Sequence, residues 1–419
     1  MAEVNMPLDQ GLRGDRADVA SPAMAAGRPV KAGGWLIALL LTGSVYSSLI
    51  FVVVGPILPS LAQHFGHARG GDALAQWVMT APAIGLVLGG LGGGWLVGRF
   101  GPVRLIPIML LVYGIAGCAG AFVDDAAVLL ASRFVIGLCA VVLSLGTTVL
   151  IAERFDDAGR ARMLGYKNSL AAAAGIVGML LAGQIADGFG WRAAFLLYAV
   201  ALLFVAPALL ALRGHGDSPA ARPQATQPRL FAPLPAGWLI YPGTILFGIV
   251  VMAPLTQLPF LLREIGVTGA GTLSRILTFT SVGSMIGAFV YGRVFALLGP
   301  VGTLVANMAA WAAGMLTLGL TGSIAQTVAG CLICGVAAGM FVVHMANLLV
   351  GRVAPEDRGN AMGLLYVALF IGDFMTPLVL VPIASAFGRH ATFLLLAVPC
   401  AITAVAALAV LRRRRARVA

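Results

Sequence analysis

Phe189-Gly190-Trp191-Arg192-Ala193-Ala194-Phe195-Leu196-Leu197-Tyr198-Ala199-Val200 is written again, 198 residues later, as Phe387-Gly388-Arg389-His390-Ala391-Thr392-Phe393-Leu394-Leu395-Leu396-Ala397-Val398. The same offset carries Gly101-Pro102-Val103 onto Gly299-Pro300-Val301, Gly137 onto Gly335 and Arg154 onto Arg352. It also carries Arg160 onto Arg358 and Gly165 onto Gly363. Nearer the start of each half the offset drifts by a few residues, matching Gly34-Trp35-Leu36-Ile37 to Gly237-Trp238-Leu239-Ile240 and Leu58-Pro59 to Leu258-Pro259. A period this long is not a solenoid unit of about 20 to 50 residues. It is a whole bundle present twice.

The chain is 60% hydrophobic and 10% charged, with a mean hydropathy of +0.97, far from the balance of an ordinary soluble domain. Apolar runs of about 20 residues recur almost end to end, each long enough to cross about 30 Å of hydrocarbon as a helix. Lipid offers no partner to backbone N–H and C=O groups, so such runs must be helical. Twelve are expected, six in each half, giving an all-α membrane protein of two six-helix bundles. The expected layout is a polar tail over 1–33, a first bundle over 34–212, a Pro-rich linker over 213–235, a second bundle over 236–411 and a basic tail over 412–419. Parallel duplicated halves are a recurrent plan of secondary transporters.

The formal charge of +11 points to a membrane surface rather than to nucleic acid. With the N-terminus inside, most of the 27 Lys and Arg fall on one face, among them Arg13, Arg99, Arg104, Arg154, Arg160, Arg162, Lys167, Arg293, Arg352, Arg358 and the run Arg412 to Arg415. That asymmetry predicts two cytoplasmic termini, with the basic tail against anionic headgroups. Residues 1–33 contain no apolar core of a signal peptide, so none is expected. Cys331-Leu332-Ile333-Cys334 has metal spacing but no second pair, and reads as packing in an apolar helix. No metal or cofactor is expected. Asp124-Asp125 and Asp156-Asp157 are isolated loop pairs rather than a clustered carboxylate site, and an enzyme is not expected.

Gly94-Trp95-Leu96-Val97-Gly98-Arg99-Phe100-Gly101-Pro102-Val103-Arg104, after the second apolar run, resembles the signature loop G-x-x-x-D-R-x-G-R-R/K of the major facilitator superfamily. A weaker copy, Gly292-Arg293 and then Gly299-Pro300-Val301, comes after the eighth run. Arg133-Phe134-Val135-Ile136-Gly137 is similar to the R-x-x-Q-G motif of proton-coupled members, and Asp187-Gly188-Phe189-Gly190-Trp191-Arg192 looks like the family's start of helix six. The resemblance runs over 34–411. It implies two bundles around a central cavity that opens alternately to either side, with Gly94, Gly98, Arg99, Gly101, Arg104 and Arg293 at the cytoplasmic gate. Gly98 stands where the family has Asp, Pro102-Val103 replace a basic pair, and Ile136 replaces Gln. Helix five carries Gly175, Gly178 and Gly183 but lacks the family's antiporter Gly-Pro step. Twelve-helix drug and metabolite proton antiporters look nearest. They imply export of a small amphipathic molecule coupled to protons. Lipid is a further expected partner, the Ala/Gly/Arg-biased composition suggests a bacterial inner membrane, and a monomer is expected. The alternatives are an uptake symporter for an organic acid and a non-transporting receptor.

Ionisable groups at lipid depth cost several kcal/mol and mark function by default. Three exist in one half only: Asp373 matches Gly175, Arg133 matches Cys331, and His344 matches Gly146. Asp373, near the middle of the eleventh run and just before Thr376-Pro377, is the expected coupling site, with Arg133 and His344 as accessory groups. Tyr46, Arg133, Gln257, His344 and Asn347 are the expected cavity residues. A packing histidine and a snorkelling arginine are the bland readings of two of them. Gly85, Gly89 and Gly93, with Gly283 and Gly287, let backbones approach closely. In the family those helices meet between the bundles, so a moving contact is expected there beside ordinary packing.

Overall fold

The computed structural model describes residues 34–66, 70–212, 235, 237–354 and 357–416. The expected tail over 1–33, all but the last residue of the expected linker over 213–235 and the last three residues of the basic tail lie outside them. Every described element is helical. In chain order they are α1 (34–64), α2 (Gly71–Phe100), α3 (Pro102–Phe122), α4 (Ala126–Arg154), α5 (Asp157–Phe189), α6 (Trp191–Leu212), α7 (Ile240–Glu264), α8 (Ala270–Gly319), α9 (Ile324–Val350) and α10 (Arg358–Ala416). Each contains an apolar stretch of spanning length, which makes this a multi-pass integral membrane protein. The two longest, α8 and α10, break at Gly299 and Gly388. Those breaks are where the twelve expected runs map onto ten described elements.

The corners carry the repeat into three dimensions. Gly101 (φ 79°) and Gly299 (φ 68°) are left-handed at matching positions, as are Gly190 (φ 85°) and Gly388 (φ 82°). Gly66 (φ 83°) and Gly266 (φ 92°) match at the drifted offset. A residue with a Cβ is strained there, so glycine is the default at each reversal. Elsewhere the chain starts helices with side-chain caps. Asp125 Oδ1 accepts from Ala127 N (2.8 Å) and Val128 N (3.0 Å) at the start of α4, and Asp156 Oδ1 accepts from Gly159 N (3.0 Å) at α5. The isolated acid pairs of the sequence are in part helix caps.

Each half has its own apolar core. One gathers Leu40, Ile50, Leu61, Val78, Leu110, Ile136, Leu150 and Phe195, and the other Val250, Leu261, Leu277, Met308, Trp311, Phe341 and Phe393. The expected interface glycines lie inside these halves and not between them. A Cβ on Gly85 would sit 2.1 Å from Phe134 O of α4, and one on Gly283 would sit 2.4 Å from Leu332 O of α9. Gly137 and Gly335 return the contact, at 2.1 Å from Pro82 O and 2.2 Å from Thr280 O. Gly89 meets Leu138 O, Gly287 meets Val336 O, and Gly93 meets Leu145. The partners of Gly85, Gly89 and Gly137 all recur at the same offset. These glycines therefore join α2 to α4 and α8 to α9 within a half, the ordinary close packing that stood beside a moving contact in the expectation. The close approach between halves occurs instead at Gly183 of α5, against Ser274 and Ala270 of α8.

Candidate functional site

Contacts between the halves gather at the end where α1, α5 and α7 finish and α2 and α8 begin. Gln257 Nε2 donates to Gln76 Oε1 at 2.8 Å, both side chains being buried. Arg263 donates to Pro59 O and Gln63 Oε1, each at 3.1 Å. Arg389 reaches Asp72 Oδ2 at 2.6 Å as well as Glu264 beside it. The Trp77 and Phe374 rings lie 5.1 Å apart. Asp187 Oδ2 accepts from Gly271 N at 2.9 Å, so the end of α5 caps the N-terminus of α8 across the halves, where the helix dipole favours an anion.

Beneath this seal a cavity of about 560 Å³ lies between α1 and α5 of one half and α7 and α8 of the other. Its polar groups are Ser47, Ser48, Asn168, Ser169, Ser281 and Ser284. Phe51, Val52, Ile176, Met252, Leu255 and Met285 supply apolar wall. None of its lining side chains is charged. Small hydroxyls do not stand out in an apolar run, so the sequence reading singles out none of these polar groups.

The structure distributes the expected site residues over four places. Asp373 is 2% exposed, and its Oδ1 has no hydrogen-bond partner. Its neighbour Gly372 packs on α7, where a Cβ would be 2.3 Å from Ile245 O, while Phe374 meets Trp77 of the other half. Pro377 has no N–H to return to the Asp373 carbonyl. Gln257 belongs to the seal. His344 and Asn347 belong to a cluster inside the second half: Asn347 Nδ2 donates to Tyr291 Oη at 3.1 Å, and His344 Nδ1 lies 3.4 Å from the same oxygen. The His344 ring sits among Tyr291 and Phe295, with Nε2 unpartnered.

Arg133 and Tyr46 lie inside the first half, away from the cavity wall. Arg133 Nη2 donates to Gly117 O at 2.8 Å, and its guanidinium rests 4.8 Å from the Phe195 ring centre and 4.9 Å from that of Tyr198. Carbonyls bared by a glycine and two aromatic faces hold this cation without a carboxylate. Tyr46 packs edge-on against Tyr113, whose hydroxyl donates to Tyr46 O at 2.8 Å. The expected gate residues sit at the far end from the seal: Arg99, Arg104 and Arg293 are exposed, Gly98 is half-buried, and a Cβ on Gly94 meets nothing. Sequence reasoning passes over Gln76, Tyr291 and Lys167. The charge asymmetry groups Lys167 with the cytoplasmic basic residues although it lies within an apolar run, and its matching residue is Leu365.

A duplicated all-helical membrane protein with a cavity between its halves is the class that this architecture defines. A sequence model of the Major Facilitator Superfamily matches residues 40–274 and again 240–419. The chain belongs to that superfamily. It is 28% identical over 305 residues to the 3-(3-hydroxy-phenyl)propionate transporter of Escherichia coli (strain K12), covering 68% of this chain and 73% of that one. It is 30% identical over 161 residues to the puromycin resistance protein pur8 of Streptomyces alboniger, covering 38% of this chain but only 31% of that one. Among solved structures, a D-xylose-proton symporter superposes with a TM-score of 0.67 at 18% identity, covering 87% of this chain and 96% of that one.

Proposed function

We propose that the protein is a proton-coupled secondary transporter that moves a small amphipathic organic molecule by alternating access. The observation that carries the reading is the cavity of about 560 Å³ between the two repeats, sealed at one end by contacts that join the halves. A positive-inside assignment puts the seal outside and the exposed Arg99, Arg104, Arg293 and Arg352 in the cytoplasm, with twelve spans and both termini inside. The cavity is then the inward-facing state. Asp373 is the proton carrier: a proton on it removes a buried charge next to two helix contacts, α10 with α7 and α10 with α2, and so biases the two cavity orientations. The match to a resistance protein supports efflux. A second reading, uptake of an organic acid, is supported by the aromatic-acid transporter, which the chain covers more fully.

The test is a broad thermal-shift screen of the purified protein, then counterflow of the hits and proton flux in proteoliposomes. Ligand-dependent proton movement is expected, and its sign separates antiport from symport. A ligand that binds but never crosses the bilayer would make the protein a receptor on the same fold and refute transport.

A further inference from the structure

Lys167 is buried at 2% exposure ten residues into α5, where the proposed coupling scheme does not use it. Its Nζ donates to Ser144 O and to Thr148 Oγ1, each at 2.7 Å, and Ser144 Oγ stands 3.5 Å away. All three acceptors are neutral. Among the described residues no carboxylate pairs with it; the ion pairs found involve His64, Arg192 and Arg389.

These acceptors do not need the ammonium. Thr148 Oγ1 already donates to Ser144 O at 2.7 Å, while the Thr147 hydroxyl has its shorter bond to Leu143 O at 2.8 Å. The contact to Ser144 Oγ at 3.5 Å is longer than a normal N–H···O bond, so the third ammonium donor is only weakly engaged. Nor does the architecture need a cation here, because the matching residue in the other half is Leu365. An ammonium surrounded only by neutral acceptors is a buried charge without compensation, and such charges call for an opposite one.

Polar groups lie between this charge and the cavity, which Lys167 does not itself line. Ser44 Oγ lies 3.2 Å from Ser144 Oγ. Ser44, Ser47 and Ser48, spaced i, i+3 and i+4, share one face of α1, and the latter two line the cavity. So does Asn168, next to Lys167. Arg133 is engaged by carbonyls and aromatic rings elsewhere in the half, and the cavity lining holds no charge of its own.

We infer that Lys167 recognises the carboxylate of an anionic substrate, whose apolar body occupies the wall formed by Phe51, Met252, Leu255 and Met285. The inference rests on the reading of the cavity as the substrate site, and it narrows the substrate to small amphipathic organic anions. An ammonium on a flexible stem suits a carboxylate as a point charge.

The experiment uses three probes on one phenylpropyl frame: 3-phenylpropionate, its near-isostere 3-phenylpropanamide, and the cation 3-phenylpropylamine. Binding to the full-length protein is read by thermal shift, with counterflow in liposomes, for wild type, Lys167→Met, Lys167→Gln and Lys167→Arg. Wild type should prefer the acid over the amide at least tenfold. Lys167→Met and Lys167→Gln should abolish that preference, Lys167→Arg should keep part of it, and ligand-free Lys167→Met should melt no lower than wild type. The inference is overturned by a neutral variant that keeps the preference, or by wild type binding the amide or amine as well as the acid or binding none of the three. Both neutral variants melting well below wild type without ligand would make Lys167 a structural tie and equally overturn it. Proton-coupled movement of the amine alone would remove the anion assignment and leave transport standing, so the two readings fail separately.

Discussion

Replacing Asp187 by Ala should loosen the sealed end, and the size of the effect comes from one bond. Asp187 Oδ2 accepts from Gly271 N at 2.9 Å, on the first turn of α8. Removing a cap of this kind costs about 1 kcal/mol, and the exposure of Asp187 keeps the value from the upper end of that range. The donor and acceptor belong to different halves, so the bond exists only while this end is shut. Its loss is therefore charged to one conformation alone and shifts the two-state population about fivefold toward the opposite opening. Ser274→Cys, a near-isosteric change at a fully buried position beside Gly183, provides the reporter once the five native cysteines are replaced. Labelling by a membrane-impermeant maleimide from the sealed side should speed up about fivefold in Asp187→Ala. Asp187→Asn should show less, since Asn also caps. Identical labelling rates in all three backgrounds would refute the claim that this cap holds the end closed.

Asp373→Asn should abolish gradient-driven movement of substrate while leaving counterflow partly intact; a variant that still concentrates or extrudes substrate against its gradient sinks the proton assignment. Gly85→Leu and Gly283→Leu should each lower stability by about 1–3 kcal/mol or more through forced separation of the fused helices. Gly94→Leu, which meets open space, should stay within about 0.5 kcal/mol, and equal melting temperatures for all three would remove the packing argument. Arg133→Lys should destabilise by about 1–3 kcal/mol, because an ammonium cannot reproduce the carbonyl bond and the two ring contacts at once. Substrate affinity in the folded fraction should be unchanged, and a tenfold loss would return Arg133 to the cavity.

The architecture is legible in the sequence because its determinants are backbone ones. A glycine that must be left-handed, such as Gly101 or Gly190, leaves its copy at Gly299 or Gly388, and an apolar run long enough to span lipid has no fold but a helix. The site is less legible because its determinants are directions. In a helix that is apolar all round, nothing in the spacing says whether Ser284 faces a cavity or a neighbour. Arg133 and Asp373 look alike in sequence, each a lone charge in one half. Both keep one buried atom without a hydrogen-bond partner, Arg133 Nη1 and Asp373 Oδ1, yet the guanidinium also has Gly117 O and the Phe195 and Tyr198 rings around it. Lys167 is hidden by its company, five residues beyond Arg162 on the first turns of α5. The repeat comparison that singles out Asp373 also singles out Lys167, since its counterpart is Leu365.

The fused glycine contacts also decide where a spectroscopic ruler can be useful. With Gly85 and Gly137 interlocked in one half and Gly283 and Gly335 in the other, two fluorophores or spin labels on α2 and α4 report a fixed length through the whole transport cycle. The same labels placed on α5 and α8 straddle the seam at Gly183 and Ser274, and their distance distribution should split in two. A pair on α8 and α9 then serves as the internal standard, and any broadening there signals unfolding rather than turnover.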